Sequence, residues 1–386
     1  MRFFHISDLH IGLKLINRDL YEDQQYILGE IVRLAGGKQP DAVVVAGDIY
    51  DRAVPSAEAV ALFDDFVGQL REAVPDACIM MISGNHDSAT RIDCYRSVLS
   101  RQKLYMAGNP PMQEDEHVEC VELSDEYGPV RFYLLPFIKP SMVKAITGVD
   151  DDGNNLSYDA AVRFMIEREA VDTSVRNVLV SHQFYLPVGK GADAVERMES
   201  EIVTVGNIDQ VGADVLSPFD YAALGHIHKP MKVGSEVYRY CGTPLQCSVS
   251  EAGQQKGIIL VDMKEKGCVT TEVLPLTPLH QVKVVKGTLE EVLLQKCGDY
   301  VTVVLTDTAD HNAVDMQDRL RTAFPRLLEV RRENIRKADT AHAVTEEAAA
   351  NPYELCRSFL GTELSEEEDA LLSDVINTVL EGGTAE

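Results

Sequence analysis

Asp8-Leu9-His10 stands directly behind Arg2-Phe3-Phe4-His5-Ile6. The apolar run reads as a buried strand. In an extended chain residues i and i+2 point to the same side, so Asp8 and His10 converge just past the strand end and offer two ligands to a metal. Working outward, the same arrangement recurs. Asp48 follows the run Asp41-Ala-Val-Val-Val-Ala-Gly47, and Gly84-Asn85-His86-Asp87 follows Ala77-Cys-Ile-Met-Met-Ile-Ser83. His182 follows Asn177-Val-Leu-Val-Ser181, and His226-Ile227-His228 follows Tyr221-Ala-Ala-Leu-Gly225. Open α/β sheets place their sites at this carboxyl edge. A glycine ahead of Asp48, Asn85 and His226 lets the backbone turn sharply and approach closely.

The inventory is Asp8, Asp48, Asn85, His10, His182, His226 and His228, with His86 to spare. Imidazoles with carboxylates suit Mn, Fe or Zn better than Mg or Ca. Seven ligands exceed what one ion needs and fit two ions if one carboxylate bridges. Such ions, about 3.5–4 Å apart, clamp the attacking and leaving oxygens of an in-line phosphoryl displacement. Taken singly, His182 would be a core histidine, Asp48 a turn acid and Gly-His-Ile-His an edge strand. Their common placement at strand exits argues for one shared site. His5, His117, His280, His311 and His342 lack that context and are read as structural.

The rhythm of the chain predicts an α/β fold. Helices are expected over Asp19–Ala35 (ended by Gly36-Gly37), from Pro55-Ser56 to Val74, from a Ser88 cap to Leu99, and over Asp159–Val171. Strands near Val118–Leu123, Val130–Leu135, Val237–Tyr240, Gly257–Asp262 and Val269–Leu274 predict a second sheet. Gly189–Asn207 reads as a loop. Pro275 to Pro278 marks a boundary, beyond which a small α/β unit ends in the basic stretch Arg331 to Lys337. Residues 341–351 read as a linker, followed by amphipathic helices over Pro352–Leu360 and Ser365–Leu380.

The 386 residues carry a net charge of −26. Thr340–Glu386 holds eleven acids against the single Arg357, a net of −10, which leaves −16 elsewhere. This charge argues against binding to nucleic acid by bulk electrostatics alone, and metal ions, a local basic groove or a partner would have to supply the positive field. The eight cysteines form no Cys-x-x-Cys pair, which argues against a zinc ribbon or disulfide framework and suits a reducing, cytoplasmic setting. No apolar run of about 18 residues predicts a membrane span, and no signal peptide is read.

Together, Asp8-x-His10, Gly47-Asp48, Gly84-Asn85-His86-Asp87, His182 and Gly225-His226-x-His228 resemble the calcineurin-like metallophosphoesterase signature over residues 1 to about 275. Ile6-Ser7-Asp8-Leu9-His10-Ile11-Gly12 and Tyr221 to His228, followed by Tyr240-Cys-Gly-Thr-Pro244, are similar to the SbcD-type nucleases within it. The resemblance implies a two-sheet metallophosphoesterase sandwich flanked by helices over 1–277, a DNA-capping α/β domain over 278–340, a linker over 341–351, and a helical pair over 352–386. It implies two Mn²⁺ ions, one on Asp8, His10 and His228, the other on Asn85, His182 and His226, with Asp48 bridging. The implied reaction is exo- and endonucleolytic hydrolysis of duplex ends and hairpins by a bridging hydroxide, with His86 as general acid, in DNA repair, recombination and replication close to the nucleoid.

An SbcC-like ABC ATPase with a long coiled coil is the implied partner, docked on the helical pair, in a heterotetramer built on a homodimer. The chain has no Gly-x-x-x-x-Gly-Lys-[Ser/Thr] of its own, so ATP dependence would come from that partner. Apolar positions on the helix at 88–99 are candidates for the dimer contact. Asp51 is expected to hydrogen-bond His86 and fix its tautomer. Gly47-Asp48-Ile49-Tyr50-Asp51-Arg52 also resembles the Ser/Thr protein phosphatases, which makes Arg52 a candidate phosphate contact. The alternative reading is a small-molecule or phosphoprotein phosphoesterase. Asp87 after His86, and the chain beyond the catalytic domain, weigh against it.

Overall fold

The computed structural model describes residues 1–187, 189, 198–201, 209–306, 313–333, 352–360 and 364–382. Two six-stranded sheets lie face to face. The first runs in the order Val269–Leu276, Lys256–Met263, Arg2–Ile6, Ala42–Ala46, Cys78–Ile82, Leu104–Ala107, the last four parallel. The second runs Met231–Val233, Ser235–Tyr240, Tyr221–Gly225, Arg176–His182, Gly128–Leu135, Glu119–Asp125, with antiparallel strands at both edges. Strands buried on both faces carry continuous apolar runs, which is why Ala42–Ala46 and Cys78–Ile82 show no alternation.

Phe3, Val44, Met80, Phe132, Val178, Val180 and Tyr221 fill the space between the sheets. Phe3 meets Phe132 and Tyr221 edge to face, with ring centroids 5.3 and 5.6 Å apart. His5 is structural here. Its Nδ1 lies 3.0 Å from the Tyr221 hydroxyl and its Nε2 3.2 Å from the Leu224 carbonyl, and burial pushes its pKa down to about 3. Helices Tyr21–Lys38 and Ala57–Ala73 cover the outer face of the first sheet, and Tyr158–Glu167 covers the second. Ser56 caps its helix by accepting from the Ala59 N–H. The registers Ile6↔Val45, Ala46↔Ile82 and Gly225↔His182 bring the strand ends level, so the residues after them share one edge.

Several expectations are corrected. The strands at 256–263 and 269–276 belong to the first sheet, because Lys256–Met263 pairs antiparallel with Arg2–Ile6. Gly36-Gly37 does not end its helix. The helix continues to Lys38 and ends at Gln39, which takes the left-handed conformation and whose Nε2 donates to the Gly36 carbonyl at 2.8 Å. The helix expected at 88–99 is split into Ala89–Ile92 and Arg96–Leu99 at Tyr95 (φ 62°). There the Asp93 carboxylate turns aside to accept from Gly108 and Asn109 N–H groups, at 2.7 and 3.1 Å, and Ser88 makes no side-chain cap. Strand Leu104–Ala107 adds to the elements expected.

A third, parallel sheet of Val282–Gly287, Tyr300–Leu305 and Arg326–Arg332 carries helices Leu289–Leu293 and Ala313–Ala323 around its own core. It is tied to the first sheet's helix by the Tyr300 hydroxyl and His280 Nδ1, 2.9 and 3.0 Å from the Asp23 carboxylate. Arg331 and Arg332 end a strand, whereas Arg336 and Lys337, the linker at 341–351 and most of Gly189–Asn207 lie outside the described residues. Helices Pro352–Leu360 and Glu366–Gly382 pack through buried Tyr353 and Ile376, with a Tyr353–Asp369 hydrogen bond. Among the described residues no helix is long and apolar enough to cross a membrane.

Candidate metal centre

The loops after Arg2–Ile6 and Ala42–Ala46 run beside each other, with Asp8, His10 and Ile11 N–H donating to the Gly47, Asp48 and Ile49 carbonyls at 3.0 Å each. This ladder holds non-glycine residues in the left-handed region: Asp8 (φ 53°), His10 (φ 43°) and Asp48 (φ 50°), with His226 (φ 102°) across from them. Each such residue costs on the order of 1–3 kcal/mol, and strain of this kind gathers at functional sites. Close approach also explains one glycine. A Cβ on Gly84 would lie 2.1 Å from Asp48 Oδ1 and 2.5 Å from its backbone nitrogen.

The predicted ligands come together. His10 Nε2 lies 3.1 Å from His228 Nε2 and 3.7 Å from Asp48 Oδ2. On the other side His182 Nε2 is 3.3 Å from Asp48 Oδ2, and Asn85 Oδ1 is 3.0 Å from His182 Nε2 and 2.9 Å from His226 Nδ1. Ligand atoms of Asp8, His10 and His228 lie within 4.8 Å of one another, as do those of Asp8, Asp48 and His182. The two clusters share Asp8, and Asp48, a member of the second, also reaches His10 of the first. His86 joins His10 and Asp48 in a further such group, and its ring stands edge-on to His10 at 4.8 Å.

These residues fit a divalent cation. Asp8 Oδ2 is buried without a hydrogen-bond partner, and an ion would satisfy it. Burial drives His10 well below its ordinary pKa, toward the neutral, ligating form. Burial pulls His182 down too, but the Asp48 and Asp8 carboxylates outweigh it and lift the ring to about 9. The site thus favours added positive charge even when buried, and a metal takes the place of such protons.

Asp51 departs from expectation. His86 Nδ1 does have a partner there at 2.9 Å, but it is the Asp51 main-chain carbonyl. The Asp51 carboxylate points instead to His10 Nδ1 at 3.9 Å and Arg52 Nε at 3.5 Å. An Asp51→Asn change would therefore leave the hydrogen bond on His86 in place. Arg52 is 75% exposed and lines, with Lys14, Tyr21 and Ser56, a cavity of about 490 Å³ beside the centre.

Sequence reasoning missed the residues behind the ligands. Asp87 accepts from the Ile49, Tyr50 and Gly84 N–H groups at 3.0, 2.9 and 2.9 Å and so ties two strand exits together. His228 is backed by Ser200, Glu201, Glu251 and Lys256. Asp87 was readable from its place beside His86. The others come from segments remote in sequence, Lys256 from the start of a strand, and carry no local signal.

Residues 1–230 match the family model of the calcineurin-like phosphoesterases. The chain belongs to that family. Residues 277–363 match a second model, described as the type 5 capsule protein repressor C-terminal domain. The phosphoesterase is similar to the SbcD component of the SbcCD nuclease of Staphylococcus epidermidis, with 29% identity over 335 residues, 85% of this chain and 84% of that one. Among solved structures it is similar to a dimetal phosphatase from Danio rerio, which covers 72% of this chain and 98% of its own at 14% identity and a TM-score of 0.43. It is also similar to TT1561 of Thermus thermophilus, which covers 70% of this chain and 98% of its own at 13% identity and a TM-score of 0.40. Family membership carries divalent-metal binding, and the candidate site for it is the centre described above.

Proposed function

We propose that this phosphoesterase is a two-metal DNA nuclease. The observation that carries the metal count is the Asp48 carboxylate standing between two groups of ligands, 3.7 Å from His10 Nε2 on one side and 3.3 Å from His182 Nε2 on the other. In this reading Asp8, His10 and His228 hold one ion, Asn85, His182 and His226 hold the other, and Asp48 bridges. The donor set favours Mn²⁺. When bound, the two ions supply Lewis-acid stabilisation of the phosphoryl oxygens and activation of the nucleophile. His86 is the general acid. Its Nδ1–H is donated to the Asp51 carbonyl, which leaves Nε2 to face the substrate and pass a proton to the departing sugar oxygen.

The choice of DNA rests on the likeness to the staphylococcal nuclease component, which spans most of both chains. In this reading residues 1–277 form the nuclease domain and 278–340 a cap over duplex ends and hairpins. Exposed Arg331 and Arg332 would touch backbone phosphates without reading sequence, although Arg331 already pairs with Glu329 at 2.7 Å. Residues 352–386, with exposed Phe359, Leu371 and Val375, would dock on an SbcC-like ABC ATPase with a coiled coil. Tyr95 and Val98, 78% and 59% exposed on the broken helix segment, would meet a second copy in a homodimer within the heterotetramer.

The test assays a labelled blunt duplex and p-nitrophenyl phosphate in parallel with Mn²⁺, with and without the ATPase and ATP. His86→Ala is expected to lower duplex cutting by about 10²–10⁴-fold while Mn²⁺ binding is retained. Monoester turnover with no DNA cutting under any condition would replace this reading with that of a phosphatase.

A further inference from the structure

Behind His228 lies a buried ion pair that the proposed chemistry does not use. Glu251 is fully buried and Lys256 is 3% exposed, with Nζ 2.5 Å from Glu251 Oε2. The carboxylate also accepts from Thr243 Oγ1 at 3.1 Å, Ser248 Oγ at 3.0 Å and Ser200 Oγ at 2.9 Å. Burying two charges costs several kcal/mol per ion, so a pair this enclosed calls for a reason beyond stability.

The network leads to one imidazole. Ser200 Oγ stands 2.7 Å from His228 Nδ1, and Glu251 Oε1 is 3.6 Å from the same nitrogen. Lys256 Nζ donates to the His228 carbonyl at 3.1 Å, and Thr243 N–H donates to it at 3.2 Å. The donor order is then fixed. Glu251 can only accept, so the Ser200 hydroxyl must donate to it, and Ser200 oxygen is left to accept from His228 Nδ1–H. That places the ring proton on Nδ1 and leaves Nε2 bare on the side of His10. Cys247 also lies near, but the Glu251 oxygens are already engaged by four donors, so the group is a hydrogen-bond network rather than a third ion site.

We propose that Glu251, relayed through Ser200 and anchored by Lys256, is a positioning residue that locks His228 in the tautomer and orientation required to hold an ion through Nε2. Metal-bound histidines commonly donate their second ring N–H in this way, and loss of the acceptor lowers metal affinity about 10- to 100-fold. The inference rests on His228 being a ligand.

The experiment titrates the full chain with Mn²⁺ by calorimetry and records melting in EDTA. Ser200→Ala removes the relay and leaves the Glu251–Lys256 pair intact. It is expected to weaken one of two Mn²⁺ sites about 10- to 100-fold, leave the other unchanged, and keep the EDTA melting temperature near that of the parent. Ser200→Thr, which keeps a hydroxyl, is expected to restore affinity. Glu251→Leu/Lys256→Met removes the acceptor together with its counter-charge and is expected to show the same selective loss. Parental affinity at both sites in Ser200→Ala and in the double variant would overturn the positioning role while leaving the two-metal reading intact. A parent chain that binds no Mn²⁺ would overturn that reading and this inference with it.

Discussion

Asp48→Asn is expected to lower Mn²⁺-dependent phosphodiester hydrolysis by roughly 10³-fold or more, since a bridging carboxylate governs several kcal/mol of transition-state charge stabilisation and each 1.36 kcal/mol is tenfold. Asparagine keeps the shape of the side chain and an oxygen to accept the His86 N–H, now at 2.9 Å. What it loses is the charge that faces His182 at 3.3 Å and His10 at 3.7 Å. Asp48 is 1% exposed; burial would raise its carboxyl, but His182, His86 and His10 outweigh that and hold it well below its ordinary value, so in the metal-free chain its charge is stabilising. The variant should therefore fold but melt below the parent in EDTA, since the change removes one partner of a buried charge pair. Steady-state rates on duplex DNA and on bis-p-nitrophenyl phosphate, run beside the melts, check both halves. A variant that keeps most of its rate would remove Asp48 from the bridge.

The second large effect concerns stability. Arg176 is 2% exposed at the start of the strand that delivers His182, and it donates to Asp125, to the Lys264 carbonyl at 2.8 Å and to the Gly128 carbonyl at 2.6 Å. Asp125→Ala leaves that guanidinium buried and without its counter-charge, a change that costs roughly 3 kcal/mol. Denaturant melts should show a lower midpoint at unchanged slope. Burial would raise the Asp125 carboxyl, but the Arg176 guanidinium and the Met1 amine outweigh it and hold it well below its ordinary value of 3.8. A depressed carboxyl contributes stability that is complete above the unfolded pKa and is lost as the pH falls below it. The parent should lose stability on acidification below about pH 4, and Asp125→Ala should lose less over the same range. Parallel acid limbs in the two proteins would refute the assignment.

The centre was legible because its ligands sit at strand exits, and strands buried on both faces stand out as uninterrupted apolar runs. Ala42–Ala46 and Cys78–Ile82 could hardly be read otherwise. Pairing was harder. Periodicity marks Lys256–Met263 as a strand, but nothing local says that it returns to Arg2–Ile6. Arg326–Arg332 escapes a pattern reading because charged and half-exposed residues break its alternation. A carboxylate partner for His86 is the natural expectation from sequence, whereas the fold uses a main-chain carbonyl, which every residue carries and no sequence advertises. Ser200, Glu251 and Lys256 lie in segments far from the strand exits, and only the folded chain sets them behind His228.

In the proposed function two ions share this edge of the sandwich. A crystal of the phosphoesterase grown with Mn²⁺, measured at the manganese absorption edge, tests it most directly. Two anomalous peaks are expected about 3.5–4 Å apart, one against Asp8, His10 and His228, the other against Asn85, His182 and His226, with Asp48 between them. A single peak, or two that do not share Asp48, would contradict it.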